Sequence, residues 1–136
     1  MHITLETDYA IRIVDLLAKN AVIPHSKPHL DAKSISEKTG VSHRYALKIL
    51  RKLVAGKIVR SYKGAHGGYE LRGKSAEISL YDVVEIMEGE FMFSRCLEDD
   101  YNCTSGLAQC AGCGYQAVFG EISKQVIDTL KKHRFG

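Results

Sequence analysis

Two short amphipathic stripes, separated by a three-residue break and followed at once by a glycine-tipped hairpin, leave this chain few folds to choose from. Asp31 is placed to cap a helix through Lys38, with Ala32 and Ile35 facing inward. Thr39-Gly40-Val41 ends it, Gly40 taking the left-handed conformation that a tight turn needs. Ser42 caps a second helix reaching about Ala55. Its apolar residues Ala46, Ile49, Leu50 and Leu53 recur at the i, i+3, i+4, i+7 spacing of one buried face. Gly56 closes that helix. Two alternating strands, over 58–63 and 69–72, then flank the tip Gly64-Ala65-His66-Gly67-Gly68. Helix, turn, helix and basic hairpin in this order make a winged helix–turn–helix.

The flanking segments are mostly helical. Ala10, Ile13, Val14 and Leu17 form a stripe over 8–19 that Thr7 is placed to cap, and 20–30, with Pro24, His25, Pro28 and His29, reads as a loop. Ser79 and Asp82 have the spacing of a capping box ahead of Val83, Val84, Ile86 and Met87, for a helix ending near Gly89. Phe119, Ile122, Val126 and Leu130 restore helical periodicity over 115–133. Between these two helices lie about 25 residues with no period, uncommon in a compact domain unless something organises them. The expectation is a mostly α chain with a small β-hairpin wing.

At 136 residues and 45% hydrophobic, the chain buries a core without help from a disulfide or metal. No apolar run approaches the ~20 residues of a membrane span. The opening Met1-His2-Ile3-Thr4-Leu5-Glu6 has none of the marks of a secretory signal. A soluble cytoplasmic protein with no membrane partner is expected.

The formal net charge of +3 conceals a split: 14 Lys/Arg against 6 Asp/Glu in 1–75, and 5 against 10 in 76–136. Within 33–74 the count is 11 against 2. Such a stretch suits a polyanion, although a charged run is more often a solvated face. Position sharpens the reading. With Ala46, Ile49, Leu50 and Leu53 buried, the second helix of the pair presents Arg44, Leu47, Lys48 and Arg51 as its opposite stripe. Arg and Lys donate to guanine O6 and N7 in a major groove, and Leu47 can cover a thymine methyl. Ser42 and His43 sit at the helix start, where backbone phosphates lie. In the wing, Lys63 or His66 can probe a minor groove while the glycines let the backbone approach phosphates. Singly, each cation is equally a solvated side chain and Leu47 a packing residue; the ordered set points to double-stranded DNA. The glycine-rich tip is no nucleotide-binding loop, because no helix follows it and the Lys-Ser/Thr pair is missing. Neither an enzyme nor a small-molecule substrate is expected.

All four cysteines, Cys96, Cys103, Cys110 and Cys113, fall within 18 residues. A reducing compartment disfavours disulfides, so four gathered thiols read as a metal or redox site. Zinc prefers two short knuckles and this segment has one Cys-x-x-Cys. Iron–sulfur clusters also take four cysteines with more irregular spacing. Spacing ranks iron–sulfur ahead of zinc, with a bare thiol switch third.

Together the opening Thr7-Asp8-Tyr9-Ala10, the run Ile35-Ser36-Glu37-Lys38-Thr39-Gly40-Val41-Ser42, Tyr45, the wing Gly64 with Gly67-Gly68-Tyr69, Ile78-Ser79-Leu80 before Val83-Val84, and the cysteine loop ahead of a last helix carry a resemblance. Over nearly its whole length the chain resembles the IscR/NsrR/CymR group of bacterial winged-helix transcription regulators, the Rrf-two family. The resemblance implies a homodimer on a near-palindromic operator, with an iron–sulfur cluster, 2Fe–2S or 4Fe–4S, in each subunit. It divides the chain into a DNA-binding domain over 1–78 and, over 79–136, a cluster-binding loop and dimerisation helices. The long last helix would pair across the two-fold axis, for which its apolar stripe gives a physical reason. Relatives of the IscR type complete the cluster with a histidine where Cys113 stands; relatives of the NsrR type use an aspartate at the position of Asp8, from the other subunit. Four cysteines therefore rank first as ligands and Asp8 as the substitute. Leu47 stands where IscR has an acidic residue, so the operator sequence does not transfer.

Overall fold

The computed structural model describes residues 2–99, 101 and 113–136. Five helices and one hairpin follow in order: α1 Leu5–Ala21, α2 Ala32–Thr39, α3 His43–Ala55, β1 Val59–Tyr62, β2 Gly68–Leu71, α4 Leu80–Glu88 and α5 Gly114–Lys132. Single 3-10 turns lie over Ser75–Glu77, before α4, and over Arg95–Leu97, at the start of the cysteine segment.

The local signals act as their chemistry dictates. Asp31 accepts the Ser34 N–H at 2.7 Å to cap α2, Gly40 closes that helix at φ 75°, and Ser42 accepts the Tyr45 N–H to cap α3. The reciprocal Ser79–Asp82 capping box starts α4. The first helix differs. Its cap is Thr4, whose Oγ1 accepts the Thr7 N–H at 3.3 Å, so α1 begins at Leu5 and Thr7 lies inside it. Thr7 is fully buried and its hydroxyl donates to the Glu88 carboxylate at 3.0 Å. A buried hydroxyl satisfied from the far end of α4 leaves no mark in the periodicity of α1.

α1 is the central element, packed against α2, α3, α4 and β2. Ile13 and Val14 of α1 meet Ile35 of α2, Ile49, Leu50 and Leu53 of α3, Val59 of β1 and Val83 of α4 in one sealed core. This core fixes which face of α3 is left for solvent.

The strands pair antiparallel with Val59 opposite Leu71 and Tyr62 opposite Gly68. The segment before α2 adds a third edge: Leu30 and Tyr69 exchange N–H to carbonyl bonds at 3.0 and 2.7 Å. Gly68 makes this approach possible, since a Cβ there would stand 2.6 Å from the Leu30 carbonyl oxygen. A Cβ on Gly67 would overlap the Tyr62 carbonyl, whereas Gly64, at φ 97°, faces open space. Two of the three wing glycines therefore serve contacts inside the protein.

The end of α5 is stitched to the start of α4, with the Leu80 N–H donating to His133 O at 2.8 Å and the Phe135 N–H to Ile78 O at 3.2 Å. The stripe Phe119, Ile122, Val126, Leu130 is half-buried along its length, Phe119 tilting against Phe93 at 5.3 Å between ring centres.

Candidate nucleic-acid interface and cysteine segment

Because α3 buries Ala46, Ile49, Leu50 and Leu53, its outer face carries Arg44, Lys48 and Arg51 in solvent and Leu47 half-buried between them. With His43 and Tyr45 these residues line one shallow depression. Ser42 and His43 are exposed at the N-terminus of the helix, where free backbone N–H groups also favour an anion. Lys63 and His66 are exposed on the wing.

Three residues at this surface make contacts that the sequence reading did not assign. Tyr45 is 47% exposed and packs edge-on against Tyr9 at 6.2 Å, so a ring stands beside the cationic stripe. Glu6, in the first turn of α1, accepts from Lys48 Nζ at 2.5 Å and from Lys52 Nζ at 3.0 Å. The Lys48 ammonium, followed by Lys52, holds the Glu6 carboxyl below the usual carboxylate range, and Glu6 in turn raises Lys48. Lys48 is thus exposed and at the same time engaged. Partners 42 positions apart leave no periodic signal in a sequence.

His29 is the third. It is half-buried rather than a free loop histidine: its ring stacks on Tyr62 at 4.7 Å, and Nε2 stands 2.6 Å from the His66 carbonyl. Nε2–H donates to that carbonyl, and Nδ1 is sealed from solvent with no partner among the described residues. The ring ties the wing tip to the segment leading into α2.

Both ends of the cysteine segment meet the start of α5. Cys96 lies in the Arg95–Leu97 turn, with its carbonyl accepting from Gln116 Nε2 at 2.9 Å. Cys113 is the N-cap residue of α5, its carbonyl accepting the Ala117 N–H at 3.2 Å. Both are half-buried free thiols. Cys103 and Cys110 lie outside the described residues, and among the described residues no three His, Cys, Asp or Glu side chains form a metal-binding group. Asp8 is half-buried on α1 and pairs with Arg12 of the next turn at 2.8 Å.

A core-braced helix pair with a cationic outer helix and a hairpin wing beside it defines a winged-helix transcriptional regulator. Residues 3–136 match the family model Rrf2, described as an iron-dependent transcriptional regulator, and the chain belongs to that family. Protein Aau3 of Rhizobium meliloti is 30% identical over 139 residues, spanning 98% of this chain and 87% of its own length. Two solved structures share the fold. The global cysteine regulator CymR of B. subtilis superposes with a TM-score of 0.73 at 22% identity, covering 99% of this chain and 93% of its own. IscR of T. potens superposes with a TM-score of 0.70 at 21% identity, covering 99% and 83%. No helix among the described residues is long and apolar enough to cross a membrane.

Proposed function

We propose that this regulator binds an operator as a homodimer and that a centre ligated by its four cysteines, an iron–sulfur cluster, sets its affinity. The observation that carries the reading is that the first and the last cysteine of the segment both meet the start of α5. Cys113 is the N-cap residue of α5, the Cys96 carbonyl accepts from Gln116 Nε2 in the first turn of that helix, and both cysteines are half-buried free thiols. Thiolates suit iron–sulfur iron and zinc alike, and the irregular spacing favours the former. When bound, the cluster would supply iron-centred redox and nitric-oxide reactivity.

On the DNA side, Arg44, Leu47, Lys48 and Arg51 read the major groove, Ser42 and His43 the phosphates beside it, and Lys63 and His66 the wing-side groove. On the sensing side, Cys96, Cys103, Cys110 and Cys113 hold the cluster, with Asp8 of a second copy as substitute fourth ligand. Tyr115 and Val118 stand 69% and 54% exposed beside the half-buried stripe of α5, apolar surface that a second α5 would cover. The end of α4, which precedes the cysteine segment, is tied to α1: Glu88 accepts the Thr4 N–H at 2.6 Å and the Thr7 hydroxyl at 3.0 Å. Two residues beyond Thr4, Glu6 grips α3. Polar contacts thus link the end of α4, through the first turn of α1, to the recognition helix, a route by which an order change beyond α4 could reach the DNA face.

Anaerobic purification with visible absorption, iron and acid-labile sulfide counts tests the centre. Iron and sulfide bound in stoichiometric amounts support it. Zinc without sulfide points to a structural metal, and a metal-free protein whose DNA affinity follows thiol oxidation to a cluster-free switch.

A further inference from the structure

The pairing of Glu6 with the recognition helix has a consequence for DNA recognition that the charge count alone conceals. Lys48 belongs to the outer stripe of α3, and Lys52 follows it by one turn. Both ammonium groups bond to the two oxygens of a single carboxylate, at 2.5 and 3.0 Å. That carboxylate belongs to another helix, and its side chain is 28% exposed. Its backbone is fixed: the first turn of α1 is closed by the Thr4 cap and clamped by Glu88. A two-oxygen anion held against two lysines at the surface offered to DNA has the chemistry of a phosphate contact already made.

We propose that Glu6 is an internal phosphate mimic and a specificity-determining residue, occupying Lys48 and Lys52 so that non-specific phosphates gain little from them. Binding random DNA requires the lysines to leave Glu6, or requires Glu6 to lie beside a phosphate; both weaken the contact. Arg44 and Arg51, which have no ion pair among the described residues, keep their full attraction. Sequence-independent affinity is thereby lowered relative to affinity for a sequence in which Arg44 and Leu47 find matching bases. The exposed pair adds little to stability, so its value lies in what it withholds from the polyanion. The inference rests on the reading of α3 as the recognition helix.

The test is a salt titration of binding to a short duplex of mixed sequence and to the duplex that the wild-type protein selects from a randomised pool. Each released lysine that meets a phosphate adds about 0.9 to the slope of log K against log salt. Glu6→Gln should steepen the slope on the mixed duplex by about 1 to 2 per subunit and tighten binding there by about tenfold near 0.1 M salt. The selected duplex should gain less, so the specificity ratio falls. In a Lys48→Ala, Lys52→Ala background, Glu6→Gln should change much less. An unaltered slope overturns the proposal, and so does weaker binding by Glu6→Gln, which would make Glu6 a positioning residue for Lys48. Arg44→Ala separates the two levels: if it leaves both affinities untouched, α3 is not the DNA face and the functional reading fails first. If it weakens binding while Glu6→Gln is silent, only the phosphate mimic is wrong.

Discussion

Replacing Gly68 by alanine should detach the wing from the body of the protein. The added Cβ would stand 2.6 Å from the Leu30 oxygen and 2.7 Å from the Leu30 carbonyl carbon, both backbone atoms that cannot swing aside as a side chain can. Relief requires opening the Leu30–Tyr69 bridge, whose two hydrogen bonds measure 3.0 and 2.7 Å. Each is worth about 1 kcal/mol net. The positive φ of 154° adds a further ~1 kcal/mol for a residue with a Cβ. The expected loss is therefore about 3 kcal/mol, a large share of the ~5–15 kcal/mol that stabilises a domain. Gly64→Ala is the matched control. It also has positive φ, 97°, but nothing within 4 Å, so only the conformational cost of ~1 kcal/mol applies. Urea unfolding gives both values, and hydrogen exchange at the Leu30 and Tyr69 amides locates the damage. If the two variants agree within about 0.5 kcal/mol, the close approach is not what Gly68 provides.

Three further outcomes are expected. Arg44→Ala should cost roughly 1–3 kcal/mol on the selected duplex, and an equal loss on mixed-sequence DNA would demote Arg44 to a phosphate contact. Cys113→Ser should yield a cluster that is less abundant or more labile, with an altered spectrum, while Asp8→Ala changes little. The reverse pattern in iron and sulfide counts would assign the fourth ligand to Asp8 of the partner subunit. The Asp31 carboxyl is held below its ordinary value of 3.8 by the Ser34 N–H, so its cap stabilises α2 above that pH and is lost as pH falls through the lowered value. Asp31→Asn should flatten this acid limb in pH-dependent unfolding; an unchanged limb would refute the assignment.

What the sequence disclosed, and what it withheld, follows the range of the interactions. α2, its turn and α3 were legible because cap, period and glycine act within a few residues and agree; Ala46, Ile49, Leu50 and Leu53 are the buried residues of α3. The Ser79–Asp82 box is equally local. A polar residue ahead of an apolar stripe has the form of a cap, which points to Thr7; Thr4 takes that place instead, and the buried Thr7 hydroxyl is satisfied by Glu88, 81 positions away. The Leu30–Tyr69 bridge, the His29–Tyr62 stack and the Glu6–Lys48 pair were invisible for the same reason: each joins distant segments without a repeat. The outer stripe of α3 could be read by subtraction from the inner one, but not the fact that one of its cations is already engaged. The cysteine spacing points to a candidate site, and the contact of Gln116 with the Cys96 carbonyl adds that its first cysteine lies against α5.

The most direct measurement of a regulator governed by its cysteine centre is anaerobic: the affinity of one protein preparation for its selected duplex, before and after chelation strips the metal, with thiols kept reduced throughout. A change of tenfold or more, about 1.4 kcal/mol at 25 °C, is the predicted result, and it should vanish in Cys103→Ser. Equal affinities in the two states, with iron and sulfide shown to be present in one and absent in the other, would contradict it.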